Sequence, residues 1–384
     1  MIKKKKIVFI GPAYPYRGGP SIFIGHLYDK LSNHFDVTIL NYTLLYPSLL
    51  FPGTTQYDKS SVTLKPGKSE RIVNSISPIS WFKTAGRIKE IGPDLVVFDW
   101  WHPFFSFCHF SISFLLGKKF HKNILFITEN FLSHEGHLID RLLSKFGLSK
   151  ASSFLALSEI VEKDLRTISG KRKVYRSELP IFDCYDLSTT GSSSSKKEFS
   201  FSAEDFVLLF FGYIRHYKGL DILLQAMPEL VRKIPNIKLL VVGESYEKFS
   251  IYENIVRGLR LSSYVKMENK FVANEDVAKY YSASDLVILP YRSATQSAIL
   301  NVAYAFHKPV LATNVGGLAE FIDDKKTGII VEPESPKAIS DGVLEFYALQ
   351  KSVNFSENIS ERISQNQFSS IAQLFDEIIS DTTL

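Results

Sequence analysis

The sequence is poor in cysteine: Cys108 and Cys184 are the two in 384 residues. That is too few for a disulfide framework or a four-cysteine zinc site, so both are expected as buried, reduced thiols in a reducing compartment. Long apolar runs are also missing. The nearest, Phe104 to Gly117, is interrupted by Ser106, Cys108, His109, Ser111 and Ser113, and it falls short of the ~20 apolar residues of a spanning helix. The opening Met-Ile-Lys-Lys-Lys-Lys-Ile-Val-Phe-Ile begins like a secretion signal, but Gly11-Pro12 breaks it too early for an h-region. The expected location is therefore cytoplasmic. Nucleic-acid recognition motifs are absent, and nucleic acid is not an expected partner. From Leu286 to Ala319 there is neither Asp nor Glu.

What is present is ordinary globular composition, with 45% hydrophobic and 22% charged residues. The length suits two domains at ~100–200 residues each. The net charge of +5 is unevenly spread. Residues 1–180 hold 25 Lys and Arg against 14 Asp and Glu, a net of +11, while residues 181–384 carry −6. A basic first half suits an anionic surface such as phosphorylated ligands or lipid headgroups. Contact with the cytoplasmic face of an anionic membrane is expected there. The aromatic run Trp100-Trp101-His102-Pro103-Phe104-Phe105-Ser106-Phe107, followed by Lys118, Lys119 and Lys122, is the candidate contact; packing in the core is the competing reading.

Along the chain, Ile7–Ile10 is a short apolar strand that enters a Gly-rich loop, then a helix carrying Ile22, Phe23, Leu27 and Leu31 on one stripe. Val37–Leu40 is the next strand. This strand–loop–helix–strand order opens a doubly wound sheet. Leu95–Phe98, Ile124–Thr128 and Ser153–Leu157 extend it. Leu187 to Ser202 is Ser-rich and reads as a linker. A second series follows: strands Phe206–Phe211, Leu239–Val242, Leu286–Pro290, Pro309–Ala312 and Ile329–Val331, with helices Leu220–Val231 and Ala298–Phe306 between them. The expected fold class is α/β, with two doubly wound Rossmann-like domains facing across a cleft. Their bounds are 1–185, a linker 186–204, 205–365, and a C-terminal helix 366–384 packing back on the first domain.

Ligands in open α/β sheets sit beyond the carboxyl ends of the strands, so the loops there are the candidates. Gly18 and Gly19 lie between the first strand and helix, where backbone N–H groups can approach a phosphate; a plain tight turn is the other reading. Arg215 and Lys218, beside Gly212 and Gly219, suit a diphosphate, because Arg215 can fork two oxygens and Lys218 adds a point charge; a solvated loop with incidental charges is the other reading. Thr295, Gln296 and Ser297 precede a helix and either cap it or bind an anion. Gly316-Gly317, with Glu320 behind, implies close backbone approach to a ligand or to packing neighbours. His134, after the strand ending at Thr128, is a candidate donor to a reacting hydroxyl or phosphate; an ordinary polar surface histidine is the other reading.

Phe211-Gly212-x5-Lys218-Gly219-x3-Leu223-Leu224-x-Ala226 resembles the donor-binding loop of retaining GT-B glycosyltransferases of the family-four group, also called glycosyl transferases group 1. Ser284-Asp285-Leu286-Val287-Ile288-Leu289-Pro290 and Lys308-Pro309-Val310-Leu311-Ala312-Thr313-x2-Gly316-Gly317-x2-Glu320 fit the same group, and the resemblance runs over about 206–333. It implies a GT-B fold and transfer of a sugar from a nucleotide-sugar to a glycan or lipid-linked acceptor, with retention, in surface polysaccharide or glycolipid synthesis. It also implies no metal and no cofactor, the nucleotide-sugar being the donor substrate. Arg215 and Lys218 would stabilise the leaving diphosphate and, with His134, form the catalytic set; Gly18, Gly19, Thr295, Gln296, Ser297, Gly316, Gly317 and Glu320 would bind the donor. One departure stands out. The two Glu that the group carries with seven residues between them are Ala294 and Val302 here, leaving Thr295, Gln296 and Ser297 to replace their hydrogen bonds. A nucleotide-sugar epimerase of the same fold and an inactive subunit that binds a partner are the alternatives.

Overall fold

The computed structural model describes residues 4–51, 53–131, 138–185, 187 and 192–383. They divide into two compact units. Unit 1 comprises residues up to 58, then 64–180 and 367–384; unit 2 comprises 59–63 and 181–366.

Unit 1 begins with β1 (Lys6–Ile10), α1 (Gly19–Ser32), β2 (Asp36–Leu44), β3 (Ser69–Asn74) and α2 (Pro78–Ile91). It continues with β4 (Leu95–Trp100), α3 (Ser106–Leu116), β5 (Ile124–Thr128), α4 (Leu138–Gly147), β6 (Ser153–Ala156), α5 (Glu159–Ser169) and β7 (Lys173–Arg176). The strands form one parallel sheet of order β3-β2-β1-β4-β5-β6-β7. The order reverses between β1 and β4, which is the doubly wound arrangement. Leu95–Trp100 and Ile124–Thr128 are buried along their whole length, as expected of central strands covered on both faces. One of those faces is packed by Ala85, Ile88, Cys108, Ile112 and Leu148 against Phe98, Trp100 and Phe126.

Unit 2 starts with α6 (Ser192–Glu198), β8 (Phe206–Phe211), α7 (Leu220–Lys233), β9 (Ile237–Val242), α8 (Ser250–Gly258) and β10 (Val265–Glu268). It proceeds through α9 (Val277–Ala283), β11 (Leu286–Leu289), α10 (Ala298–Ala305), β12 (Val310–Thr313), β13 (Gly328–Val331), α11 (Pro336–Leu349) and α12 (Phe355–Ser364). Its parallel sheet runs β10-β9-β8-β11-β12-β13, again reversing beside the first strand. The last helix, α13 (Ile371–Thr383), belongs to unit 1, where Phe375 meets Phe9 at 5.9 Å and Tyr175 hydrogen-bonds Asp381.

Three sequence expectations need correction. The Ser-rich stretch is not simply a linker: α6 forms inside it, and the buried Lys196 donates to Asp285 Oδ2 at 3.0 Å and to the Asp205 carbonyl at 2.7 Å. A buried ammonium needs such acceptors, and this one ties the helix to the sheet. The aromatic run after β4 is core rather than surface. Trp100 and Phe105 are fully buried, and within the run Phe107 is the aromatic side chain left exposed, because β4 is central and its continuation packs under α3. Cys108 is buried, but Cys184 is half-buried.

Candidate functional site

In unit 2 the loops that follow β8, β9, β11 and β12 lace together at the carboxyl edge of the sheet. Ile214 N–H donates to the Glu244 carbonyl at 3.0 Å, and Tyr246 N–H returns to the Ile214 carbonyl at 3.0 Å. Arg292 N–H donates to the Tyr217 carbonyl at 2.7 Å, and Gly317 N–H to the Ala294 carbonyl at 3.2 Å. Several contacts here admit only glycine, two of them in left-handed backbone. Gly219 has φ 69°, and a Cβ there would lie 2.0 Å from the Pro290 carbonyl oxygen. Gly316 has φ 52°, with the Ala294 carbonyl oxygen 1.7 Å from where its Cβ would be. Both conformations are left-handed, and both bring two backbones closer than any side chain allows.

The cations sit on this rim. Lys218 closes a 3-10 turn, His216–Lys218, and is buried. Its Nζ lies 5.4 Å from the Tyr291 ring centroid and makes no hydrogen bond or ion pair among the described residues. Burial first, and repulsion from Arg215 second, push its pKa down to about 8. Arg215 is half-buried, held over the rings of Tyr246 at 5.4 Å and Tyr217 at 6.0 Å. Two adjacent cations, one desolvated and neither matched to a carboxylate among the described residues, make a site that an anion would complete. The first N–H groups of α10 face no intrahelical partner, as at any helix start. Ser297 Oγ meets the Tyr291 hydroxyl at 3.4 Å. Gln296 Oε1 is buried without a hydrogen-bond partner among the described residues.

The predicted residues therefore divide. Arg215, Lys218, Thr295, Gln296, Ser297, Gly316 and Gly317 come together on one rim. Glu320 follows in a short 3-10 turn, Ala319–Phe321, and is half-buried. Gly18 and Gly19 belong to unit 1, where Gly18 precedes α1 with φ 105°. The loop before them is held by the buried Asn41, which accepts from Ala13 N–H at 3.1 Å and donates to the Tyr14 carbonyl at 2.9 Å. His134 lies outside the described residues. Ala294 and Val302 are both buried.

Sequence reading missed the braces of the rim. Glu247 accepts from His216 N–H and, through its other oxygen, from the Tyr252 hydroxyl at 2.9 Å. Arg292 is held bidentately by Asp221 at 2.8 and 2.7 Å, so its guanidinium braces the loop instead of serving a ligand. Both partnerships join residues far apart in sequence, which no local pattern announces. The loop after β9 did carry a signal: Val242-Gly243 repeats the strand-then-glycine punctuation of Phe211-Gly212.

The comparisons with known proteins fall on the same region. Residues 192–366 match the model of the family described as Glycosyl transferases group 1. A D-inositol 3-phosphate glycosyltransferase of Segniliparus rotundus is 32% identical over 147 residues, 38% of this chain and 33% of that protein. The N-acetyl-alpha-D-glucosaminyl L-malate synthase of Bacillus anthracis is 24% identical over 226 residues, 59% of this chain and 57% of that protein. The chain thus spans between a third and somewhat over half of these curated relatives. Among solved structures, Anabaena HepE in complex with UDP-glucose superposes with a TM-score of 0.75 at 17% identity, covering 98% of this chain and 99% of that one. The fold is that of the GT-B glycosyltransferases.

Proposed function

We propose that this chain, whose residues 192–366 match the glycosyl transferases group 1 model, is a glycosyltransferase that takes a nucleotide-sugar on the rim of unit 2. The observation that carries the reading is the pair Arg215 and Lys218, two cations without carboxylate partners among the described residues, set where strands end and α10 begins. When the anomeric carbon parts from the diphosphate oxygen, negative charge develops on that oxygen. A desolvated ammonium, a guanidinium and free helix N–H groups stabilise it most at that moment. Gln296, with an unpaired buried oxygen, is positioned to accept from a sugar hydroxyl. On this reading the acceptor, a glycan or a lipid-linked sugar, belongs to unit 1, transfer proceeds with retention and without metal, and the product serves surface polysaccharide or glycolipid synthesis.

Titration calorimetry with UDP, ADP and GDP tests the donor site. At least one should bind, and Lys218→Met and Arg215→Ala should each weaken it ~10–150-fold, the loss of a charged hydrogen bond. Unchanged affinity in both variants would refute the assignment. A second reading, an inactive subunit that binds a partner transferase, is favoured by the lack of any Asp or Glu from Leu286 to Ala319. Product detection across a panel of nucleotide-sugars and lipid-linked acceptors separates the two.

A further inference from the structure

Helix α3 is apolar on both sides. Cys108, Ile112 and Leu116 turn into the core, while Phe107 and Phe114 are 59% and 60% exposed. Its eleven residues include no Lys, Arg, Asp or Glu. Helix α4 repeats the pattern, with Ile139 66% and Leu142 68% exposed and Phe146 on the same stripe. Spacings of three and four residues put each set on one helix face. The two faces are continuous: Phe146 stacks on Phe110 at 4.1 Å and meets Phe107 at 5.4 Å, and Phe110 stacks on Phe114 at 5.9 Å. The helices come close at Gly147, where a Cβ would lie 2.9 Å from the Ser106 Cα of α3 and 2.5 Å from the Trp100 ring. A helix of a water-facing layer carries polar residues on its outer stripe; α3 has no charged residue at all, and α4 sets Arg141 and Lys145 beside its exposed apolar stripe.

Cations lie on these helices or directly follow them in the chain. Lys118, Lys119, Lys122, Arg141, Lys145 and Lys150 are all exposed, and Lys150 lies over the Phe110 and Phe114 rings at 5.6 and 5.3 Å. From Phe104 to Ser152 the sequence has only Glu129, Glu135 and Asp140 as acids, and Glu129 is buried. Among the described residues no helix is long and apolar enough to cross a membrane.

We propose that the α3–α4 face of unit 1 is an interfacial docking surface for a bilayer containing anionic lipid. Its phenylalanines and leucine enter the headgroup–acyl boundary, and its lysines pair with lipid phosphates. The charge pattern selects this occupant over a second copy of the chain, because a symmetric pairing through this face would set one ring of cations against another. The contact keeps Phe107 and the lysines of the Trp100–Phe107 contact expected from sequence and drops the buried Trp100 and Phe105; it is independent of the donor site, which lies in unit 2.

Flotation of the full chain with phosphatidylcholine vesicles, with and without phosphatidylglycerol, tests it. Wild type should float with the anionic vesicles and stay down with the neutral ones. Recovery should fall as salt rises from ~0.1 to ~1 M, where the screening length shrinks from ~10 to ~3 Å. Changing Lys118, Lys119 and Lys122 together to Glu should lower the partition coefficient by about a hundredfold or more. Phe107→Ser with Leu142→Ser should abolish flotation, with circular dichroism and nucleoside-diphosphate affinity unchanged to show that the variant is folded. Failure of wild type to float, or equal flotation of wild type and both variants, overturns the proposal. So does self-association in lipid-free sedimentation that the Phe107→Ser, Leu142→Ser variant loses, since that assigns the face to a second copy.

Discussion

Asp99 and Glu129 share one buried carboxyl pair at the carboxyl ends of the neighbouring strands β4 and β5 in unit 1. No N–H or O–H donor among the described residues reaches either oxygen of Asp99 or Oε1 of Glu129. A proton held between the two groups satisfies both, and burial favours keeping it. Burial pushes Glu129 up to about 8, and burial together with the charge of Glu129 raises Asp99 well above the usual carboxylate range. Between the unfolded value near 4 and about 8 the folded chain therefore binds more protons than the unfolded one. Stability should fall as pH rises through that window, by at most about 1.4 kcal/mol per pH unit for each proton. Urea midpoints measured from pH 5 to 8.5 check this. Glu129→Gln, which cannot lose a proton, should flatten the slope, and an unchanged slope would remove the pair as its cause.

Lys218 has the Tyr291 ring beside it but no carboxylate partner among the described residues. Because burial lowers its pKa to about 8, its charge is lost as pH climbs past that value. Nucleoside-diphosphate affinity should weaken above pH 8 in wild type, and Lys218→Met should show weaker affinity without that decline. The same substitution removes an unpaired buried cation, so the ligand-free protein should become more stable, on the order of 2 kcal/mol at pH 7. Calorimetry and thermal melts read the two effects separately.

Gly316→Ala should damage the rim. The new methyl would stand 1.7 Å from the Ala294 carbonyl oxygen, a backbone atom that cannot rotate away. The loop must shift, costing roughly 1–3 kcal/mol in strain and displacing the residues beside Gln296. Wild-type melting and wild-type nucleotide affinity together would show that the two loops are not braced in this way.

Gln296→Ala should separate sugar from nucleotide. If its unpaired oxygen reads a sugar hydroxyl, donor use should drop about tenfold while free diphosphate affinity stays within twofold, as for one neutral hydrogen bond. Equal losses in both would place Gln296 against the nucleotide instead.

Lys196 and Asp285 pin α6 to β11. Asp285→Ala leaves a buried ammonium with one acceptor fewer and frees the N–H of Val207, which now donates to Asp285 Oδ2 at 2.8 Å. Breaking such a pair costs up to 3–5 kcal/mol. With Asp285 28% exposed, about 3 kcal/mol is expected from denaturant unfolding, and a loss under 1 kcal/mol would mean that water replaces the carboxylate.

The interior strands were readable because a strand covered on both faces must be apolar throughout, and Leu95–Trp100, Ile124–Thr128 and Phe206–Phe211 are. The strands that escaped are Ser69–Asn74, Lys173–Arg176 and Val265–Glu268. All three are sheet edges, where charged residues are tolerated and guard against further pairing. Helix α6 escaped because serine is a weak helix former; the ion pair that anchors it spans 89 residues.

The sequence by itself determined two parallel α/β sheets, the strand-end loops that hold Arg215, Lys218 and Gly316, and a basic first half. Each follows from local patterning: apolar runs, glycine punctuation and charge composition. Tertiary structure alone decided which loops touch, which of the rim's cations is already paired, and which aromatics are exposed. Arg292 and Lys218 look alike in sequence, yet one is neutralised by Asp221 and the other has no carboxylate partner among the described residues. Trp100 and Phe107 belong to one aromatic run, yet the first is core and the second faces water. Partnership and burial depend on residues brought together from distant parts of the chain, and no window of neighbouring sequence contains them.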